Sequence, residues 1–216
     1  MSTPGESPAK RRYDGSGRQR DATERQERII DAAHTRFLRD GYGATSIEQI
    51  ARDAGTSTQT VYAAFTNKAG ILRRVVDVAV AGDHEEIALI DRPDQQAIFT
   101  APDSAARLEL AIDVAVSVHS RSAHLIALTQ SLAGGDPALR QLADDLDQQV
   151  RTDAERFLGT AADDLRADQP MSHLVDVTLL ITGPLSWHRL VNERGWTADE
   201  WRTWALESMH HLVMAR

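Results

Sequence analysis

Apolar residues recur at spacings of three and four along nearly the whole chain beyond residue 20, and this spacing is what most constrains the fold. Each stripe of this kind lies on one face of an α-helix. Strands have a different signature, alternating β-branched residues bounded by turns, and the chain contains no convincing run of it. Cysteine is absent from the 216 residues, so disulfide bonds cannot hold a small loop-rich domain together. The sequence therefore predicts an all-α protein.

The chain is predicted to divide into an arm and two helical domains. Residues 1–20 contain Gly and Pro but almost no apolar side chains, so they cannot bury enough surface to offset chain entropy. They are predicted to form a disordered basic arm. Residues 1–80 hold 13 Lys and Arg against 10 Asp and Glu, although the whole chain has a net charge of −8. This asymmetry indicates separate tasks for a first domain over 21–82 and a second over 83–216.

Three predicted helices form the first domain, at about 22–40, 46–53 and 57–65, and a fourth runs from residue 68 past residue 80. Gly41 follows the first helix, where a left-handed cap would lie. Thr45 to Glu48 has the pattern of a capping box, with Ser57 as the next cap. Two helices of about two turns, joined by a turn that contains Gly55, predict a helix-turn-helix over about 46–65.

The second domain is predicted to be larger and entirely helical. Pro93 and Pro102 favour a loop over 91–102. The apolar spacing then predicts helices at 104–121, 122–132, 137–165, 171–193 and 198–215.

Residues 28–72 read RIIDAAHTRFLRDGYGATSIEQIARDAGTSTQTVYAAFTNKAGIL. This segment resembles the DNA-binding domain of the tetracycline-repressor (TetR/AcrR) family of bacterial transcription factors. The stretch 179–214 resembles the family's C-terminal domain more loosely, through Gly183-Pro184, Arg194-Gly195-Trp196 and Trp201. The matching residues of the first segment are Ile30, Ala32, Ala33, Phe37, Gly41, Tyr42, Thr45, Ile47, Ile50, Ala51, Ala54, Gly55, Ser57, Thr60, Val61, Tyr62, Phe65, Lys68 and Leu72.

The resemblance implies that the third helix enters the major groove of DNA. Such a helix presents its first turns to base edges, while nearby hydroxyls and cations hold phosphates. Gln59 replaces a Gly that is frequent in the family, and its amide can bond adenine at two points. Ala64 stands where Tyr or His is usual, which removes one phosphate contact. The predicted DNA-binding residues are Thr45, Ser57, Thr58, Gln59, Thr60, Tyr62 and Lys68.

The resemblance also implies that the second domain binds a small-molecule effector and dimerises. Helices 171–193 and 198–215 would pair with those of a second copy. The apolar residues that suit this seam are Leu174, Val177, Leu180, Ile181, Leu185, Leu190, Val191, Trp201, Trp204, Met209, Leu212 and Val213. An intrachain core is the alternative for these apolar side chains. The candidate effector-binding residues are His119, Arg121, His124, Gln130, Met171, Trp187 and His188.

Enzymatic function is not predicted, because the chain lacks a Gly-rich phosphate loop, an HExxH motif and a Gly-x-Ser-x-Gly elbow. His119 and His124 are spaced to face different sides of a helix, so no metal site and no cofactor are expected. Without an apolar membrane span or signal sequence, the expected location is the cytoplasm. The sequence thus predicts a homodimeric, effector-responsive repressor that binds a palindromic operator. The alternatives are an activator or a non-specific architectural DNA-binding protein of the same fold, or a small-molecule binding or enzymatic domain with a vestigial helix-turn-helix.

Overall fold

The computed structural model describes residues 16–85, 87 and 89–215, and the regular structure in these residues is helical. The predicted all-α fold is confirmed. Short 3-10 turns lie at Leu89–Asp91 and Ala162–Asp164, and a π-helical segment at His188–Glu193. The α-helices are α1 (Ser16–Asp40), α2 (Ile47–Asp53), α3 (Thr58–Ala64), α4 (Lys68–Ala81), α5 (Pro93–Thr100), α6 (Ser104–Leu132), α7 (Pro137–Gly159), α8 (Met171–Thr182), α9 (Pro184–Trp187) and α10 (Ala198–Leu212).

The predicted basic arm falls outside the described residues over positions 1–15. The prediction is wrong for residues 16–20, because α1 begins at Ser16 and already includes them. Arg18, Gln19 and Arg20 are residue types that favour helices, and an existing helix can lengthen without forming a new nucleus. The prediction is also wrong for 91–102, where Pro93 begins α5 instead of breaking a helix. Proline fits the first turn of a helix because no backbone donor is needed there.

The central element is α6, which runs unbroken where two helices are predicted. Ser122 was expected to begin a new helix, but its hydroxyl donates to the carbonyl of Val118 one turn back, a bond that a serine makes within a helix. Although α6 is the longest helix described, none of the helices in the described residues is long and apolar enough to cross a membrane.

Two further helices end before the predicted residue. The predicted 137–165 helix ends at Gly159, and the 171–193 helix is interrupted at Gly183. Pro184 has no N–H to continue the hydrogen-bond ladder of α8 and instead begins α9. A side chain at Gly183 would meet the carbonyl oxygen of Leu179 at 2.4 Å, so this break requires glycine.

Two hydrophobic clusters hold the helices together. The first joins α1–α4 to residues of α6 and α7, including Leu125 and Leu142. The second joins the first half of α6 and the end of α7 to α8–α10, and Trp201 is fully buried in it. Residues of α6 belong to both clusters. A shift of α6 would therefore change the packing in both, because close-packed side chains transmit displacements.

Candidate nucleic-acid interface

Helices α2 and α3 form the helix-turn-helix, and local hydrogen bonds fix each of its ends. The Ser46 side chain accepts the N–H of Gln49 and the Gln49 side chain accepts the N–H of Ser46, so α2 begins with a capping box. The turn contains Gly55 at φ +63°, a conformation that favours glycine. The hydroxyl of Ser57 then accepts the N–H of Thr60 and caps α3. The predicted helix-turn-helix is therefore present.

The capping box lies one residue later than predicted, and this changes the position of Thr45. Thr45 is 1% exposed, and its hydroxyl donates to the carbonyl of Gly41 at 2.8 Å. Its side chain therefore closes the loop between α1 and α2 and does not reach the surface. The predicted phosphate contact by this hydroxyl is contradicted by its burial.

Two arginines of α1, neither of them among the predicted site residues, hold the end of α2. Arg36 donates to both carboxylate oxygens of Asp53, at 2.6 and 3.1 Å. These hydrogen bonds lower the pKa of Asp53 below its usual range. Arg28 donates to the carbonyl of Ala54, the residue that ends α2. The two arginines lie two helical turns apart beside the apolar stripe of α1. This spacing is the sequence feature that could have indicated that both contact the next helix.

The outer face of α3 carries the predicted base-reading side chains. Gln59 is exposed, and Tyr62 is 51% exposed, while Val61 between them is buried in the core. Thr58 and Thr60 are partly exposed, and the Thr60 hydroxyl lies 2.8 Å from that of Ser57. This face thus presents an amide, a phenol and small hydroxyls on a helix whose N-terminus is also exposed.

Lys68 has a structural role that was not predicted. Its ammonium donates to the carbonyls of Tyr42 and Thr45, at 2.8 and 2.9 Å, and lies 4.2 Å from the centre of the Tyr42 ring. Partial burial lowers the pKa of Lys68. An ammonium has three N–H donors, so only one is left for a phosphate.

Four candidate effector-binding residues lie together between α6, α9 and the π-helical segment. The His119 ring packs against the indoles of Trp187 and Trp201, with ring centres 6.2 and 5.9 Å apart. Next to it, the rings of His124 and His188 are 5.5 Å apart. His119 donates from Nε2 to the carbonyl of Thr182, and burial lowers its pKa to about 4.

The other three candidates lie elsewhere. Arg121 donates to the carbonyls of Ala79 and Val80 at the end of α4, so it connects the two ends of the molecule. Gln130 lies against the carbonyl of Ala143. Met171 is 44% exposed at the first position of α8. The predicted pocket set therefore separates into one cluster and three isolated side chains.

The apolar residues predicted for a dimer seam also divide into two groups. The first group packs inside the chain, so the seam prediction is wrong for Leu174, Ile181, Trp201, Met209 and Val213. The second group remains on the surface, with Leu180, Leu185 and Leu212 exposed by 75%, 48% and 51%. A shallow groove of about 200 Å³ beside Leu212 is also lined by Val177.

In the described residues, no group of three or more His, Asp or Glu side chains is arranged to hold a metal ion. The features of the site are therefore the helix-turn-helix, the aromatic cluster around His119 and the exposed polar face of α3.

The fold and the site define a helix-turn-helix protein with a second, helical domain. Residues 29–75 match the family model described as "Bacterial regulatory proteins, tetR family". This segment, which is the part of the chain that holds the helix-turn-helix, is therefore similar to the DNA-binding segment of that family. A relative from Escherichia coli (strain K12), the HTH-type transcriptional repressor ComR, is 38% identical over 52 residues, which are 24% of this chain and 25% of that protein. The match thus spans about a quarter of the length of this relative.

Solved structures share the fold over most of the chain. A putative TetR-family transcriptional regulator from Rhodococcus sp. matches with a TM-score of 0.68 and 16% identity, over 89% of this chain and all of that one. A putative transcriptional regulator from Saccharomonospora viridis, solved in complex with choline, matches with a TM-score of 0.66 and 20% identity. That match covers 88% of this chain and 98% of the other. The protein therefore has the fold of TetR-family transcriptional regulators.

Proposed function

We propose that the protein is a homodimeric transcriptional repressor that binds a palindromic DNA operator through α3 and is released by a small-molecule effector. The observation that carries the proposal is the exposed face of α3, where Gln59 and Tyr62 lie outward. The preceding helix α2 is held at its end by the α1 arginines. A recognition helix of this kind reads bases in the major groove. The protein would act in the bacterial cytoplasm, where the chromosome lies.

Each proposed DNA contact is made by a polar or methyl group that remains accessible on its side chain. Gln59 bonds a base edge, Tyr62 reaches a phosphate, and Thr58 touches a thymine methyl group. The hydroxyls of Ser57 and Thr60 contact the backbone near the helix N-terminus, whose dipole favours phosphate. Lys68 contributes its remaining N–H donor. Thr45 is left out, because its hydroxyl is buried.

The proposed dimer is supported by the exposed leucines of α8–α10. Leu180, Leu185 and Leu212 are each exposed to about half or more of their surface, and large exposed apolar side chains are of the kind that a second copy covers. A two-fold dimer would present two α3 helices to successive major grooves, about one helical turn of DNA apart. Repression is supported by the name of the ComR relative, and an effector by the choline bound to the Saccharomonospora viridis structure.

The experiment that tests the proposal is capture of fragmented genomic DNA by the full chain at about 150 mM salt, where weak non-specific binding is suppressed. The retained fragments are sequenced, and the operator is used to measure affinity by titration. We expect one palindromic sequence to be enriched. A Gln59→Ala, Tyr62→Phe double variant should lose this enrichment, whereas Gln149→Ala on the exposed face of α7 should keep it.

The same experiment separates the alternatives. Uniform retention of all fragments would show a non-specific architectural protein and would contradict the operator. Retention of none, with a dimer present in solution, would contradict DNA binding and favour a vestigial helix-turn-helix. An activator would enrich a palindrome too, and a reporter gene placed behind that palindrome would distinguish it from a repressor by the sign of the response.

A further inference from the structure

The hydrogen bond made by His119 fixes where the proton lies on its ring. The carbonyl oxygen of Thr182 can only accept, and it lies 2.8 Å from Nε2. Nε2 therefore donates, and Nδ1 of the neutral ring is a bare acceptor. This Nδ1 is shielded from solvent and has no hydrogen-bond partner among the described residues. A buried polar atom without a partner is unusual and indicates a role beyond folding.

The side chains that pack against the His119 ring are aromatic. The indoles of Trp187 and Trp201 meet edge to face, 5.1 Å between ring centres. The N–H of Trp201 is already taken, because it donates to the Ser186 hydroxyl. The charged side chains near the cluster are already paired: Arg202, next to Trp201 in α10, with Asp113, and Glu193 of the π-helical segment with Arg189. A formal charge on a ligand would lose its hydration here without a partner, so a neutral molecule fits best.

One side of this aromatic cluster is formed by a segment of irregular helical structure. It follows the Gly183-Pro184 break and consists of α9 and the π-helical segment. π-Helical turns are rare and occur frequently at functional sites. His188 within this segment also has a buried Nδ1 without a partner among the described residues. None of the residues of the π-helical segment is fully buried, and a segment with few buried side chains can open at a lower free-energy cost than the core.

His119 is also two residues from the side chain that holds α4. His119 faces Trp187 and Trp201, while Arg121 reaches the end of α4 from the other side of the same helix turn. A ligand that moves α6 at His119 would therefore move the cap of α4 directly. Helix α4 in turn packs on α1 in the first hydrophobic cluster.

We propose that the effector is a flat, uncharged molecule that donates a hydrogen bond, from a phenolic hydroxyl or a heteroaromatic N–H, to Nδ1 of His119. The molecule inserts between the two indoles by displacing the segment 184–193. The proposal rests on the proposed function for its regulatory meaning, although binding itself can be tested without DNA.

The test uses two matched pairs of probes on the full chain: phenol against anisole, and indole against N-methylindole. Each pair differs chiefly in the donor hydrogen. Tryptophan fluorescence and the thermal midpoint are followed as each probe is titrated. We expect saturable binding of phenol or indole, with the methylated partner about ten-fold weaker, the usual cost of leaving a buried acceptor unpaired. Absence of saturable binding, or equal binding within both pairs, would overturn the proposal.

Variants locate the site. His119→Phe keeps a ring but removes the acceptor, and it should abolish the preference for the donor probe. His173→Phe, at an exposed position of α8, should keep the preference. Nitrogen NMR of the unaltered protein gives a readout without any variant, because the Nδ1 resonance of His119 must shift when it accepts a hydrogen bond. An unshifted resonance at saturating probe would contradict the proposal, and operator capture by the same sample would leave the proposed function standing.

Discussion

Arg121 of α6 donates from Nε to the main-chain carbonyl of Ala79 at 3.1 Å and from Nη2 to that of Val80 at 3.2 Å. The last carbonyls of a helix have no partner within it, so a side chain from the second domain completes the end of α4. Arg121 itself is positioned by Ser117, which accepts from Nη1 at 2.9 Å. The two domains are thus joined by hydrogen bonds to the backbone as well as by apolar packing.

Arg121→Met should destabilise the protein by about 1–3 kcal/mol, because it removes charge-assisted hydrogen bonds from a partly buried helix end. Urea unfolding measures this change. Arg73→Met is the matched control, since Arg73 also joins α4 to the second domain, through an exposed ion pair with Asp145. Exposed pairs contribute at most about 1 kcal/mol. Equal losses in the two variants would contradict a special role for Arg121.

Gly82→Ala should be more destabilising than Gly41→Ala, although both glycines follow a helix with positive φ, +92° and +81°. A non-glycine residue in this conformation costs about 1–2 kcal/mol at either position. At Gly82 the new methyl group would also lie 3.1 Å from the guanidinium carbon of Arg121, whereas nothing lies within 4 Å at Gly41. Thermal unfolding compares the two variants, and the excess at Gly82 should vanish in the Arg121→Met background.

Lys68→Met should lower the free energy of unfolding by about 1–3 kcal/mol without DNA, because two buried carbonyls of the α1–α2 loop lose a charged donor. Arg52→Met, at an exposed position on α2, should change it by less than about 0.5 kcal/mol. Urea unfolding without DNA measures the change in the free energy of unfolding for both variants. A stable Lys68→Met variant that fails only in DNA binding would show that Lys68 is purely a phosphate contact.

Gln59→Ala should weaken operator binding by about 1–3 kcal/mol and relax specificity at one base pair, since the amide reads a base edge. Tyr62→Phe should instead weaken binding to all sequences to a similar degree, because a phosphate contact carries no sequence information. Titrations against a set of single-base operator variants distinguish the two patterns. A uniform loss from Gln59→Ala would rule out base reading at this position.

Stability should fall as the pH is lowered from about 6.5 to about 4, in part because of His119. Its pKa is about 4 in the folded protein, against 6.5 for an unperturbed histidine, so the unfolded chain binds the extra proton throughout this range. Full stability is present above pH 6.5, and the difference amounts to about 3 kcal/mol. The free energy of unfolding is measured over the same pH range for His119→Phe, and the difference between the two proteins isolates the contribution of His119. A difference that does not change with pH would contradict the prediction.

Local patterns were sufficient for the fold class and for the helix-turn-helix. Ser57, Gly41 and Gly55 act through bonds to their sequence neighbours or through their own backbone angles, so their roles can be read without a partner. Trp201 is a case where the decisive contact is not local, because its helical spacing fits a dimer seam and an intrachain core equally well, and it lies in the intrachain core. Pro93 is a different case, because proline suits both a loop and the first turn of a helix, and the structure shows that it begins α5.

The sequence by itself determined the all-α fold class and the position of the helix-turn-helix, because periodicity and caps are properties of neighbouring residues. Only the tertiary structure decided what Lys68, Arg121 and His119 contact. Long side chains such as Lys and Arg reach partners far away in the chain, and the chain gives no local sign of which carbonyl they will find. Lys68 therefore supports the α1–α2 loop, and Arg121 caps α4 instead of lining a pocket. Nδ1 of His119 has no hydrogen-bond partner among the described residues, and the two indoles that pack against this ring come from distant parts of the chain.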